Sequence, residues 1–313
     1  FLIDLNLMRK LVAAAELEPA DVVLEVGAGT GSLTELLLET GARVVAVEID
    51  RGLQKILRER LGGHARFTLV QGDALAAKSQ VNPLILKLLA ERPPGAHVAE
   101  AAESGAGGDG GRGGDSGQGD EVAAAGGTGE TEEGGGRAGH YKLVANLPYQ
   151  IATPLIVDLL LVEPRFERLV CTIQKEVGER LVAEPRTGEY GPVSIVLQTL
   201  AEIRPLAILP ATAFWPRPQV ESVMVLIRPR PAEAVRAGDP DDVGVEDVPG
   251  FVAFVREAFQ QRRKVLRRLL RDWPPAQALA VFQRANVNPE ARPEELSPGA
   301  WRALYAAFRR TRA

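Results

Sequence analysis

The 313-residue sequence contains a single cysteine, Cys171, and three histidines. One thiol excludes a disulfide framework and a cysteine-based zinc site, and it fits a reducing compartment. Cys171 itself reads as a small buried hydrophobe in a strand. His64, His97 and His140 show no ligand spacing, so no metal site is expected. No apolar run approaches the roughly 18 residues that a membrane span requires. A charged-then-apolar leader with a small-residue cleavage site is also lacking. The expectation is a soluble, cytoplasmic protein with neither metal nor membrane anchor. The chain opens on Phe1 rather than methionine, so upstream residues are expected to be missing.

What the sequence does contain is unevenly spread. Of 32 glycines, 16 fall in residues 104–139, together with seven acids and two arginines. The formal net charge of −4 comes from this stretch, because the rest of the chain sums to +1. Residues 251–313 carry 13 arginines and lysines against five acids. Such a balance suggests a polyanionic partner, with a solvated face as the plainer alternative. Hydrophobic residues at 45% and charged residues at 25% are ordinary for a globular protein. The length suggests two domains.

A helical pattern over residues 4–17 gives way to short continuous apolar runs at 22–26, 44–49 and 67–70, the signature of buried strands. Helical spacing returns between them, so strands and helices alternate and predict a parallel sheet covered on both faces. Residues 91–139 lack periodicity and aromatic side chains and read as a disordered insertion. The alternation then resumes with strands at 142–145 and 169–173 around a helix at 151–162. Further strand-like runs lie at 193–200 and 223–227. Residues 232–250, rich in Pro, Gly and Asp, read as a linker. A helix is predicted from about 251 to 272, with an apolar stripe of Phe251, Val255, Phe259, Leu266 and Leu270. The expected domains are therefore 1–231 and a helical lobe over 251–313.

Gly27, Gly29 and Gly31 sit where the first strand turns into a helix. Glycine there lets backbone approach a ligand, and the helix start offers unpaired N–H groups. Glu48 ends the second strand, where an acid could accept hydrogen bonds from both ribose hydroxyls of an adenosine-containing cofactor. NAD and S-adenosylmethionine fit equally at this point. Asp73, ending the third strand, could accept a bond from an adenine amine or simply cap a helix.

Asn146-Leu147-Pro148-Tyr149 breaks the tie. It lies at the carboxyl end of a strand, where open α/β sheets place their ligands. An exocyclic amine is a poor nucleophile because its lone pair is delocalised into the ring. The Asn146 side-chain oxygen and a carbonyl of Leu147 or Pro148 could accept its two N–H bonds and favour a pyramidal nitrogen. Tyr149 could stack on the base, a contact worth about 1–3 kcal/mol on single-stranded nucleic acid.

Taken together, these residues resemble the small-subunit ribosomal RNA adenine dimethyltransferase family of the KsgA type. The resemblance extends through Gln174-Lys175-Glu176-Val177, Arg180-Leu181-Val182 and Tyr190-Gly191. It continues in Ala213-Phe214-Trp215-Pro216-Arg217-Pro218-Gln219-Val220-Glu221-Ser222 and in Ala258-Phe259-Gln260-Gln261-Arg262-Arg263-Lys264-Val265-Leu266-Arg267. It implies a Rossmann-like class I S-adenosylmethionine-dependent methyltransferase sheet with a small C-terminal all-helical domain. The implied activity is transfer of methyl groups from S-adenosylmethionine to two adjacent adenines near the 3′ end of small-subunit rRNA, in a pre-ribosomal particle and by a monomer. Leu2 and Glu25 join Gly27, Gly29, Gly31, Glu48, Asp73 and Asn146 in the expected cofactor site. Phe214 offers a second stacking face or, as readily, a buried loop anchor. Arg256, Arg262, Arg263, Lys264, Arg267 and Arg271 are the expected RNA contacts, with Arg256, Arg263, Arg267 and Arg271 stacked along one helix face. In the family a Gln-Asn pair precedes the Phe-Leu at which this chain begins, so weakened cofactor binding is expected. Two alternatives stay open: methylation at another rRNA site, such as the large subunit, and a non-catalytic RNA-binding assembly factor.

Overall fold

Strands buried on both faces are mostly apolar along their length, and residues 44–47 and, apart from Glu25, 22–26 are built that way. In the computed structural model, which describes residues 1–77, 80–91, 140–231, 233, 235 and 247–312, the first runs form β1 (Val22–Val26), β2 (Arg43–Glu48) and β3 (Phe67–Gln71). A short antiparallel pair follows, β4 (Leu75–Ala77) and β5 (Gln80–Val81). The remaining strands are β6 (Tyr141–Asn146), β7 (Phe166–Gln174), β8 (Ala201–Leu209) and β9 (Ser222–Pro229). Seven of them make one sheet in the order β3-β2-β1-β6-β7-β9-β8. From β3 to β7 all pairings are parallel, whereas β9 runs antiparallel to both neighbours. β2 and β6 flank β1 on opposite sides, and this reversal of strand order opens a crevice at the carboxyl ends of β1 and β6.

The helices are α1 (Leu5–Ala15), α2 (Ser32–Glu39), α3 (Arg51–Leu61), α4 (Pro83–Ala90), α5 (Ala152–Leu159), α6 (Lys175–Leu181), α7 (Pro192–Leu200), α8 (Val248–Gln260), α9 (Pro275–Arg284) and α10 (Pro298–Arg312). Asp4 starts α1 by accepting the N–H groups of Asn6 and Leu7. The period of two along each strand divides the core. Val23, Val44, Ala46 and Val144 face Leu11, Leu37 and Leu57 of α1, α2 and α3. Leu24, Val45, Val47 and Leu143 belong to the other cluster, with α4, α5 and α7. That second cluster runs on into α8 and α10 through Phe251, Phe254, Trp301 and Leu304, so the C-terminal helices share the sheet's core. No helix among the described residues is long and apolar enough to cross a membrane.

Two expectations need correction. Residues 193–200 form α7 rather than a strand. Ser194, Ile195, Val196, Leu197, Thr199 and Leu200 are all buried, and a helix buried all round has no polar face to betray its period. Pro192 at the first turn marks the helix start, and the true strand, β8, follows directly. The predicted helix over 251–272 begins earlier, at Val248, and ends at Gln260. The chain then turns, because the N–H groups of Leu266 and Arg267 bond to the carbonyls of Ala291 and Pro289 instead of the preceding turn. A short 3₁₀ segment, Leu266–Leu270, buries Leu266 and Leu270. The insertion, apart from Glu91, lies outside the described residues, as does most of the predicted linker.

Candidate active site

A cleft of about 460 Å³ opens at the carboxyl ends of β1, β2, β3 and β6. It gathers Gly27, Glu48, Asp73, Asn146, Leu147, Pro148, Tyr149 and Phe214, residues that the sequence spreads over nearly 190 positions. Leu2 and Glu25 line a small adjoining recess together with Gly27 and Asn146.

Gly27 (φ +77°) adopts a backbone conformation that disfavours a side chain, and an added Cβ would lie 3.3 Å from the Pro148 ring. The glycine turn and the tetrapeptide are therefore packed against each other. Gly31 has a different task. It is the N-cap of α2, and its Cβ would meet Leu57 at 3.0 Å and Leu61 at 3.2 Å. Gly31 thus brings α2 close to α3 and does not line the cleft. Gly29, outside the cleft lining as well, lies under the Phe1 ring.

Glu48 is 5% exposed. Its Oε2 accepts the Gly29 N–H at 2.8 Å, and its Oε1 accepts those of Ile49 and Asp50, each at 2.9 Å. Three of roughly four acceptor positions on a carboxylate are thus occupied in holding two turns together, which leaves less capacity for a ribose than a free acid would have. Asp73 is exposed; its Oδ1 accepts the Leu75 N–H at 3.0 Å in a turn that leads into β4. It caps no helix. Glu25 is buried, and burial, reinforced by the nearby Glu48 charge, pushes its carboxyl up to about 8 against a hydrogen bond from Thr34 Oγ1 at 2.7 Å.

Asn146 ends β6, and its Oδ1 accepts a hydrogen bond from Thr172 Oγ1 on β7. The Leu147 N–H bonds to the Thr172 carbonyl at 3.2 Å, and the Pro148 carbonyl accepts Ile151 N–H as α5 begins. The Leu147 carbonyl has no partner among the described residues. The Tyr149 hydroxyl pairs with Ser222 Oγ at 2.7 Å. Phe214 is largely buried and bridges to Leu2, so it is an anchored wall of the cleft. Sequence reasoning missed Thr172, and it reached Ser222 only as the end of a family motif, with no role assigned. Their one signal was a hydroxyl within or beside a strand that is otherwise apolar.

The basic C-terminal residues do not form one row, because α8 ends before most of them. Arg256 lies on α8 and is exposed. Arg262 bonds to the carbonyls of Thr187 and Gly188, Arg267 pairs with Glu290 at 3.0 Å, and Arg271 with Asp272 at 3.5 Å. Arg263 and Lys264 are exposed and have no ion-pair partner among the described residues.

A parallel sheet with a reversed-order crevice, an antiparallel β9 and a glycine turn facing an acid at the end of β2 defines a Rossmann-like class I methyltransferase fold. Over the whole chain the comparisons agree. A family model described as ribosomal RNA adenine dimethylase matches residues 1–309. The chain belongs to that family. It is 36% identical to the ribosomal RNA small subunit methyltransferase A of Pelotomaculum thermopropionicum, covering 98% of this chain and 88% of the relative. It is 34% identical to the protein of the same name from Moorella thermoacetica, over 95% and 85%. A dimethyladenosine transferase from Plasmodium falciparum shares the fold at a TM-score of 0.67 and 20% identity, over 99% of this chain and 98% of that one. The 23S rRNA methyltransferase ErmE does so at 0.60 and 23%, over 99% of each.

Proposed function

We propose that the protein transfers methyl groups from S-adenosylmethionine to the exocyclic amines of two adjacent adenosines near the 3′ end of small-subunit rRNA. The observation that carries this reading is the meeting of Asn146-Leu147-Pro148-Tyr149 with Gly27, Glu48 and Asp73 around one cleft. The relatives' name, small subunit methyltransferase A, favours this RNA over the large subunit.

The cleft suits an adenosine-containing cofactor. Gly27 gives a backbone approach without a side chain, Glu48 has acceptor capacity left for a ribose hydroxyl, and Asp73 Oδ2 is available to an adenine amine. The cofactor, when bound, supplies an electrophilic methyl group. The protein's own part is positioning and electrostatics. Asn146 Oδ1 has a second lone pair beyond the one used by Thr172, and the Leu147 carbonyl is unpaired. Together they accept the two N–H bonds of the target amine and turn its lone pair toward the methyl group. Tyr149 stacks on the base, with Phe214 as the opposite wall. Leu2 and Glu25 bound the recess beside the glycine turn and take the remaining end of the cofactor, with Gly29 and Gly31 shaping that turn. The target base must be unstacked to enter, so the substrate is a single-stranded loop. Exposed Arg256, Arg263 and Lys264 contact RNA phosphates; the monomer works in the cytoplasm on a pre-ribosomal particle.

Incubation with immature small subunits and methyl-labelled cofactor tests this reading. Dimethylated neighbouring adenines near the 3′ end of the small-subunit rRNA are expected. Label confined to large-subunit RNA, or cofactor binding without transfer to either RNA, would refute it.

A further inference from the structure

Thr172 is a fully buried hydroxyl near the carboxyl end of β7, between Cys171 and Ile173. It stands beside Asn146 of β6 and opposite Met224 of β9, while Gln174, two residues along, stands opposite Ser222. The period of two therefore places Asn146, Thr172 and Ser222 on one face of the sheet. Both hydroxyls are spent on the tetrapeptide. Thr172 Oγ1 donates to Asn146 Oδ1, Ser222 Oγ pairs with the Tyr149 hydroxyl, and neither hydroxyl has another partner among the described residues. Valine would fill the Thr172 site with the same shape and suit a strand as well. The hydroxyl adds one thing that valine lacks. A hydroxyl can donate or accept, so it holds whichever end of the amide faces it; here that end is Oδ1, and the bond fixes the amide plane that valine would leave free to rotate. Ser222 tethers the far end of the Tyr149 side chain in the same way.

We propose that Thr172 and Ser222 are positioning residues that hold the Asn146 amide and the Tyr149 ring in their working orientation. The proposal rests on the methyl-transfer reading above. Neither residue touches the target base. Each acts through the residue it bonds, and the two together brace both ends of the tetrapeptide from neighbouring strands.

The test measures transfer of labelled methyl to unmodified small ribosomal subunits. Thr172→Val should lower kcat about tenfold or more, the scale of misplaced reacting groups, while the Kd for S-adenosylmethionine stays within about twofold of wild type. Thr172→Ser should recover most of the rate. Thr172→Cys, with a weaker donor, should fall between, and it serves if the valine variant does not fold. Ser222→Ala and Tyr149→Phe should each lower kcat by a similar factor, and the double variant by no more than either. Full activity in Thr172→Val, or no recovery in Thr172→Ser, overturns the role of Thr172. Multiplied losses in the Ser222 and Tyr149 pair overturn that of Ser222. A wild-type protein inactive on the subunits would defeat the methyl-transfer reading instead.

Discussion

Replacing Glu25 by glutamine should make the protein more stable, and the gain should grow with pH. Glu25 is 1% exposed, and burial raises its carboxyl to about 8 in the folded state, from about 4.5 in the unfolded chain. The folded form therefore holds a proton that the unfolded form releases. For a raised pKa the stabilising contribution is complete below about pH 4.5 and is lost as pH rises to about 8. At about 1.36 kcal/mol per pH unit the loss amounts to about 3 kcal/mol at pH 7 and about 5 kcal/mol above pH 8. Glutamine has no proton to lose, and its oxygen can keep the bond from Thr34 Oγ1. At roughly 2 °C per kcal/mol for a chain of this size, the variant should melt about 6 °C above wild type at pH 7 and about 10 °C above it at pH 9. The two should coincide near pH 4.5. Melting curves of both proteins without cofactor, recorded between pH 5 and pH 9, make the comparison, since every other titrating group is common to them. Parallel curves across that range would refute the reasoning. Glu25 lines the recess beside the glycine turn, so Kd for S-adenosylmethionine should rise in the same variant.

Other perturbations follow from the packing. Burial pushes the Asp21 carboxyl up, but the Lys142 ammonium at 2.8 Å and the N–H groups of Glu18 and His140 outweigh it and hold it below its usual range. Asp21→Asn leaves the buried Lys142 ammonium with the Glu16 carbonyl at 2.7 Å and the more distant Glu167 carboxylate at 3.9 Å, and should cost about 2 kcal/mol at pH 7 in urea unfolding; the deficit should shrink as pH falls and the wild-type carboxyl takes up its proton. A deficit independent of pH would be the contrary result. Gly178 lies in α6, and a Cβ there would stand 2.2 Å from Val223 Cγ1 in buried β9. Gly178→Ala should therefore lower stability by about 1 kcal/mol, overpacking of about 1–3 kcal/mol exceeding the gain of about 1 in helix propensity; a stabilised variant would show the clash to be relieved. Double replacement of Arg263 and Lys264 by alanine should reduce the slope of log affinity against log salt for small-subunit rRNA by about 1 to 2. Arg267→Ala, which removes a partner already paired with Glu290, should change it less, and the reverse order would refute the assignment.

What the sequence made legible was local. Runs at 22–26 and 44–47, rich in β-branched valine and bounded by turn residues, read as buried strands. The glycine turn, Glu48, Asp73 and the Asn146 to Tyr149 tetrapeptide each ended a strand, and a parallel sheet collects strand ends at one edge. Two kinds of feature stayed hidden. Residues 193–200 and 261–265 were misread because burial and long-range hydrogen bonding, not local period, decide their state: α7 is buried on nearly every side, its Ser194 and Thr199 included, and the N–H groups of Leu266 and Arg267 are taken by Ala291 and Pro289. The bonding roles of Thr172 and Ser222 were invisible for a sharper reason. Each lies far in sequence from the residue it bonds, 26 positions for Thr172 and 73 for Ser222. Only the register of β6, β7 and β9 brings them beneath the tetrapeptide. A shift of one residue in either pairing would turn the hydroxyl to the opposite face. The motif therefore specifies which groups meet the base, and the strand register specifies how they are aimed, so a substitution that disturbs the β7 pairing without touching the cleft should still be read out in kcat.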